Sequence, residues 1–301
     1  MLERNRIHLL DALEALEQIE DESADVIIAD PPYNIGKEFG DFKCRMEMKE
    51  YVSWCLLWIS ECIRILKDTG TMFIYGFSEN LAHISVNIPL EKRWLIWHYT
   101  NKTIPRLNFW QRSHESIIIA WKNNPIFNTD DVREPYTDIF LKNAAGKVRK
   151  STKGRFSRGD KETIYMAHDK GALPRDVIKI SALAGGAGRR ERWFYCKDCL
   201  GTYFPEEMED HKECNIIKHP TQKPIALTEK LLLSCKPESG GFVVIPFAGS
   251  GSEAFVARSL GMDFIGFEIS EDYVNMANSL VARREMIELI LRNVLVKEEG
   301  K

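Results

Sequence analysis

Nowhere in the 301 residues is there an apolar run approaching the roughly 20 residues a membrane-spanning helix needs. No secretory leader is legible either, because the segment from Met1 to Leu16 carries charges through its only apolar part. Cysteines are few and odd in number, seven in all, which argues against a disulfide framework. A cytoplasmic protein without a membrane partner is the expectation. Internal repeats and low-complexity tracts are also lacking. What remains is the composition of a soluble globular chain, 44% hydrophobic and 28% charged, long enough for one large α/β domain or a domain with an appendage. The net charge of -3 conceals a basic block, since Lys142 to Arg192 holds 14 Lys and Arg against 5 Asp and Glu. Such an excess suits a polyanion, because Lys and Arg contacts to phosphates release condensed counterions. A solvated surface loop would have the same composition.

The chain reads in three parts. Residues 1–122 alternate strand and helix patterns: Ile7–Leu10, Asp25–Ala29, Thr71–Tyr75, Trp94–Tyr99 and Ser116–Trp121 as strands, with helices over 11–19 and 48–67. Residues 123–218 are polar and basic, contain a glycine cluster at 184–188, and show no sustained period. From His219 to Lys301 the α/β pattern returns, with strands at Phe242–Ile245 and Phe264–Phe267 and a long C-terminal helix. Alternation of this kind predicts a doubly wound, parallel-rich sheet, with the middle region inserted into it.

Two features of the last part suggest a nucleoside site. Strand 242–245 runs into Phe247-Ala248-Gly249-Ser250-Gly251-Ser252 and then a helix, so backbone amides and a positive helix end face one place. Glu268 ends the next strand, where an acid can accept from ribose hydroxyls. Phe255 stands where a dinucleotide fingerprint has its third glycine, and the Lys of a phosphate loop is missing. The turn therefore fits a nucleoside without a pyrophosphate.

The segment Phe247–Ser252 resembles motif I of the amino-group DNA methyltransferases, whose cofactor is S-adenosylmethionine, and Glu268 falls at their motif II. Asp30-Pro31-Pro32-Tyr33, directly after a buried strand, is similar to their catalytic tetrapeptide. Its chemistry suits an exocyclic amine, a poor nucleophile whose lone pair is delocalised into the ring. Acceptors aimed at its N–H groups favour a pyramidal nitrogen and the positive charge that grows during transfer. Asp30 and the Pro31 carbonyl are those acceptors, the prolines stiffen the loop, and Tyr33 offers a face to a base turned out of the duplex. A rigid turn over a packed aromatic is the plainer alternative.

The motif order, catalytic first and cofactor last, resembles the β class of these enzymes, a circularly permuted Rossmann-like fold. His219-Pro-Thr221-Gln-Lys223-Pro is similar to its motif X. The resemblance implies that Thr221 and Lys223 bind the methionine end of the cofactor, and that Asp11 accepts from its adenine amino group; Asp11 also reads simply as a helix N-terminal acid. It implies double-stranded DNA as substrate and adenine N6 as target, with cytosine N4 as the alternative. A restriction endonuclease and a second copy of the chain are possible partners in this class. Phe109 or Trp110 would be a second stacking face or core aromatics. Finally, Cys196-x2-Cys199-x11-His211-x2-Cys214 has the spacing of a closed structural zinc site. It predicts a small zinc finger over 193–217, within the target-recognition region.

Overall fold

The computed structural model describes residues 2–35, 46–101, 108–154, 159, 161–184 and 190–283, with the backbone alone at 38–39 and 42–43. Lys102, the glycines at 185–188, Arg189 and the tail beyond 283 lie outside the described residues. By contact density the chain forms two units, Met1–Phe127 with Asp176–Lys301, and Asn128–Arg175.

The larger unit is a doubly wound α/β domain. Its first part supplies β1 (Arg6–Leu9), α1 (Ala12–Leu16), β2 (Ala24–Ala29), a two-residue hairpin of β3 (Glu38–Phe39) and β4 (Phe42–Lys43), α2 (Met48–Ile65), β5 (Leu66–Gly76), α3 (Ser78–Ser85), β6 (Glu91–His98) and β7 (His114–Trp121). The smaller unit holds α4 (Asp138–Asn143) and the antiparallel pair β8 (Val148–Lys150) and β9 (Glu162–Ile164). The larger unit resumes with β10 (Val177–Lys179), β11 (Phe194–Cys196), β12 (Gly201–Tyr203), β13 (Ile216–Ile217), α5 (Ile225–Cys235), β14 (Phe242–Ile245), α6 (Ser252–Ser259), β15 (Asp263–Glu268) and α7 (Glu271–Ala282).

Eight strands form the main sheet in the order β1-β15-β14-β2-β5-β7-β6-β10. All neighbours are parallel except at β7, which runs against both β5 and β6. The continuous apolar runs follow from burial on both faces. Val26 and Ile28 of β2 join Phe73, Val243 and Ile245 in a core under α5, α6 and α7. Their neighbours Ile27 and Ala29 point the other way, with Met72, Ile74 and Val244, into a core under α1, α2 and α3. The two-residue period of a strand thus fills two cores at once.

Three elements differ from the sequence pattern. The second helix stops at Ile65, two residues before its expected end at 67, and β5 begins at once with Leu66. The first helix spans only Ala12–Leu16, shorter than its apolar pattern, with Asp11 as its N-cap. β10 extends the sheet beside β6 from within the basic region, so residues 176–217 of that region belong to the larger unit where described. Among the described residues no helix is long and apolar enough to cross a membrane.

Candidate active site

Chain connections leave β14 toward β15 and leave β2 toward β5, so the order reverses between these adjacent strands. In an open α/β sheet that reversal opens a crevice at the carboxyl ends of the strands. A cavity of about 290 Å³ lies there. It is lined by Asp11, Asp30 to Tyr33, Thr221, Lys223, Phe247 to Ser250, Ser252 and Glu268, so all the expected cofactor and catalytic residues but Gly251 face one space. Gly251 works behind the wall. Its φ of 83° is left-handed, and a Cβ there would lie 2.7 Å from that of Ala277, so only glycine lets α6 and α7 approach.

The Asp30 loop is fixed from several sides. Lys223 Nζ meets Asp30 Oδ2 at 2.5 Å, with only 4% and 15% of the two side chains exposed. The Tyr33 hydroxyl donates to Asp30 Oδ1 at 2.7 Å and lies 3.2 Å from Glu115 Oε2. Burial, with these carboxylates, pushes the Tyr33 phenol far above its ordinary range, so it stays a donor. Burial opposes the charge on Lys223, yet Asp30 and Glu115 outweigh it and hold the ammonium above its usual pKa. The carbonyls of Pro32 and Tyr33 are taken by Tyr51 and Asn80. No protein donor is seen on that of Pro31 among the described residues, which leaves it available next to the Asp30 carboxylate.

The glycine turn is held as firmly. Glu268 accepts from the amides of Gly249 at 3.0 Å and Ser270 at 2.9 Å, which orients its carboxylate at the cavity edge. Burial raises its pKa, and those amides partly offset the rise. Asp11 is exposed and accepts from Leu13 N at 2.9 Å, so it caps α1 while also lining the cavity. The buried Trp193 indole donates to Ser250 O at 2.9 Å. Gln222 accepts from Trp193 N at 3.3 Å and donates to Glu191 O at 2.9 Å, which ties the segment ahead of α5 to the turn after β14.

The cysteine cluster assembles as its spacing suggests. One ligand atom from each of Cys196, Cys199, His211 and Cys214 falls within 4.8 Å of every other. A tetrahedral zinc with ligands at 2.0–2.3 Å sets them roughly 3.3–3.8 Å apart, and His211 Nδ1 stands 3.5 Å from Cys199 Sγ and 3.9 Å from Cys214 Sγ. Leu200, with φ 55°, makes the sharp turn after the second cysteine. The strands around the cluster, β12-β11-β13, form a small separate sheet against α7. Thr202 Oγ1 donates to Met276 O at 2.9 Å, Arg283 pairs with Glu207 at 2.7 Å, and Lys197 with Asp272 at 2.8 Å.

Two further acids line the cavity, one of them in the segment Arg112–Glu115, which resembles the stretch that walls the target-base pocket in this class. Glu115 reaches it because β7 is antiparallel and so begins at the edge where its neighbours end. Glu253, in the first turn of α6, is only 3% exposed. The expectation for Phe109 and Trp110 takes a third form. They are 71% and 86% exposed, so they are not core residues, and the cavity's walls are instead Trp54, Phe77 and Trp97 with Tyr33.

Comparison with known proteins agrees with this geometry. The family described as DNA methylase, of the N6/N4 methyltransferases, matches residues 24–279. The chain is 30% identical over 272 residues to the DNA adenine methyltransferase YhdJ of Escherichia coli, covering 88% of this chain and 79% of that one. It is 28% identical over 279 residues to the type II methyltransferase M.HpaI of Haemophilus parainfluenzae, covering 90% and 72%. Among solved structures, the cytosine-N4-specific PvuII DNA methyltransferase shares the fold, with a TM-score of 0.62 at 17% identity over 96% of this chain and 92% of that one. The chain belongs to the N6/N4 DNA methylase family, and it is a DNA methyltransferase.

Proposed function

We propose that this chain transfers a methyl group from S-adenosylmethionine to the N6 amino group of adenine in duplex DNA, with the base turned out of the stack. The observation that carries this reading is the meeting of the Asp30–Tyr33 loop and the glycine turn in one cavity across the switch point. In this reading Glu268 holds the ribose, Asp11 accepts from the cofactor's adenine amine, and Phe247–Ser252 and Thr221 hold the rest. The cofactor, when bound, supplies a methyl group activated by its sulfonium.

Asp30 and the Pro31 carbonyl accept from the target amino group, and Asp30 is the base within reach of the proton that the methylated nitrogen sheds. Lys223 and Tyr33 orient that carboxylate, and the ordering of both reactants contributes much of the rate. The assignment to adenine follows the Asp at the head of the tetrapeptide, and the name of the Escherichia coli relative supports it. Residues 1–122 then serve as the catalytic half, 123–218 as the target-recognition region and 219–301 as the cofactor half. The exposed lysines and arginines of 142–175 suit a phosphate backbone. Cys196, Cys199, His211 and Cys214 hold a structural zinc that needs no open position, since methyl transfer uses no activated water. As a modification enzyme, it would protect the sites of a restriction endonuclease.

Duplex DNA incubated with protein and S-adenosylmethionine, then digested to nucleosides, is expected to yield N6-methyldeoxyadenosine by mass spectrometry. N4-methyldeoxycytidine instead would overturn the adenine assignment, and neither product would overturn the enzyme.

A further inference from the structure

Carboxylates outnumber cations along the cavity wall, with Asp11, Asp30, Glu115, Glu253 and Glu268 against Lys223 and Arg192. Of the two cations only Lys223 is fully buried, and it is committed to Asp30. Asp30 has Lys223 and the Tyr33 hydroxyl, and Glu115 has the Tyr99 hydroxyl, with that of Tyr33 3.2 Å away. Glu253 is different. Its Oε2 accepts from Ser252 Oγ at 2.8 Å, while its Oε1 is buried with no hydrogen-bond partner. A buried, unpartnered carboxylate oxygen is costly, and such groups are normally paired or protonated.

The position of Glu253 narrows what its partner is. It follows the glycine turn directly, in the first turn of α6, and lines the same cavity. The charged and titratable groups that bear on it are Asp30 after β2, Lys223 ahead of α5 and Tyr75 on β5. For a cofactor methyl group to reach an amine held at Asp30, the methionine end must lie between Asp30 and the glycine turn. That end carries an α-ammonium group.

On the reading of the cofactor given above, we propose that Glu253 Oε1 receives the α-ammonium of S-adenosylmethionine and selects ligands with an intact amino-acid end. This is a binding role for a side chain outside the expected motif residues. Burial, and Asp30 after it, push the Glu253 carboxyl up to about 7. The sign follows: the ammonium needs the carboxylate, so as pH falls below about 7 a proton competes for the site. Affinity then weakens with falling pH, approaching about tenfold per unit.

The test is calorimetric titration of the whole protein with two probes. S-adenosylhomocysteine carries the ammonium, and 5′-methylthioadenosine lacks the amino-acid end. Wild type is expected to prefer S-adenosylhomocysteine and to bind it severalfold more weakly at pH 6 than at pH 7.5, with methylthioadenosine unaffected. Glu253→Gln, which keeps the side-chain volume, is expected to lose tenfold or more for S-adenosylhomocysteine, to become insensitive to pH, and to bind methylthioadenosine as wild type does. That last value shows that the variant is folded. The inference falls if Glu253→Gln binds S-adenosylhomocysteine as tightly as wild type, or if wild-type binding of it is flat between pH 6 and 7.5. If wild type binds neither probe, the cofactor reading itself falls, a result distinct from either of these.

Discussion

Replacing Asp30 by alanine is expected to lower kcat at least about 10³-fold, with the dissociation constant for S-adenosylhomocysteine changed only a few-fold. The asymmetry follows from where Asp30 acts. Its carboxylate is held by Lys223 and Tyr33, whereas Glu268, Gly249 and Ser250 belong to a different wall element, the glycine turn and the end of β15. The interaction lost is one that strengthens as charge builds on the nitrogen, so the loss falls on kcat. The variant also leaves Lys223 buried without its closest anion, an added cost that appears as a lower melting temperature. Single-turnover rates and calorimetry on the same preparation separate the two effects. Methylation within tenfold of wild type would refute the role assigned to Asp30.

Stripping the metal is expected to act at a distance. The sheet β12-β11-β13 has strands of only three, three and two residues, too little to hold together alone. A zinc ion on Cys196, Cys199, His211 and Cys214 would supply that cohesion. The module in turn meets α7 through Thr202 and Arg283, and the buried Trp193, just ahead of β11, steadies Ser250 in the glycine turn. Metal analysis should therefore find one zinc per chain. Chelation, or Cys199→Ser, should lower the melting temperature by about 10 °C, a few kcal/mol for a chain of this size. Cofactor affinity should weaken roughly tenfold with it. A preparation free of zinc with an unchanged melting temperature would remove the metal from the account.

The catalytic loop was legible because strong local rules coincide there. A buried strand running into two prolines can only end, and Asp30 then stands at its carboxyl end. The glycine turn before α6 and the Cys196–Cys214 spacing were legible for similar reasons, each being a local pattern with a geometric meaning. What depended on long-range topology was not. Lys223 meets Asp30 across a separation of 193 residues, and no local pattern names that partner. The antiparallel direction of β7, which carries Glu115 to the site, is not revealed by alternation. Glu253 has the sequence context of an ordinary first-turn acid, and only its burial marks it out. β10 is a three-residue strand whose place depends on pairing with β6. Composition does not show that β10 and the cysteine module, within the basic region, belong to the larger unit.

The most direct test of the central claim is a crystal structure of the protein with S-adenosylhomocysteine bound. The thioether sulfur is expected in the cavity between the β2 and β14 ends, facing the Asp30 carboxylate and the Pro31 carbonyl. The ribose should lie on Glu268 and the α-ammonium on Glu253. A ligand bound outside that cavity, or with its sulfur turned away from Asp30, would contradict the account.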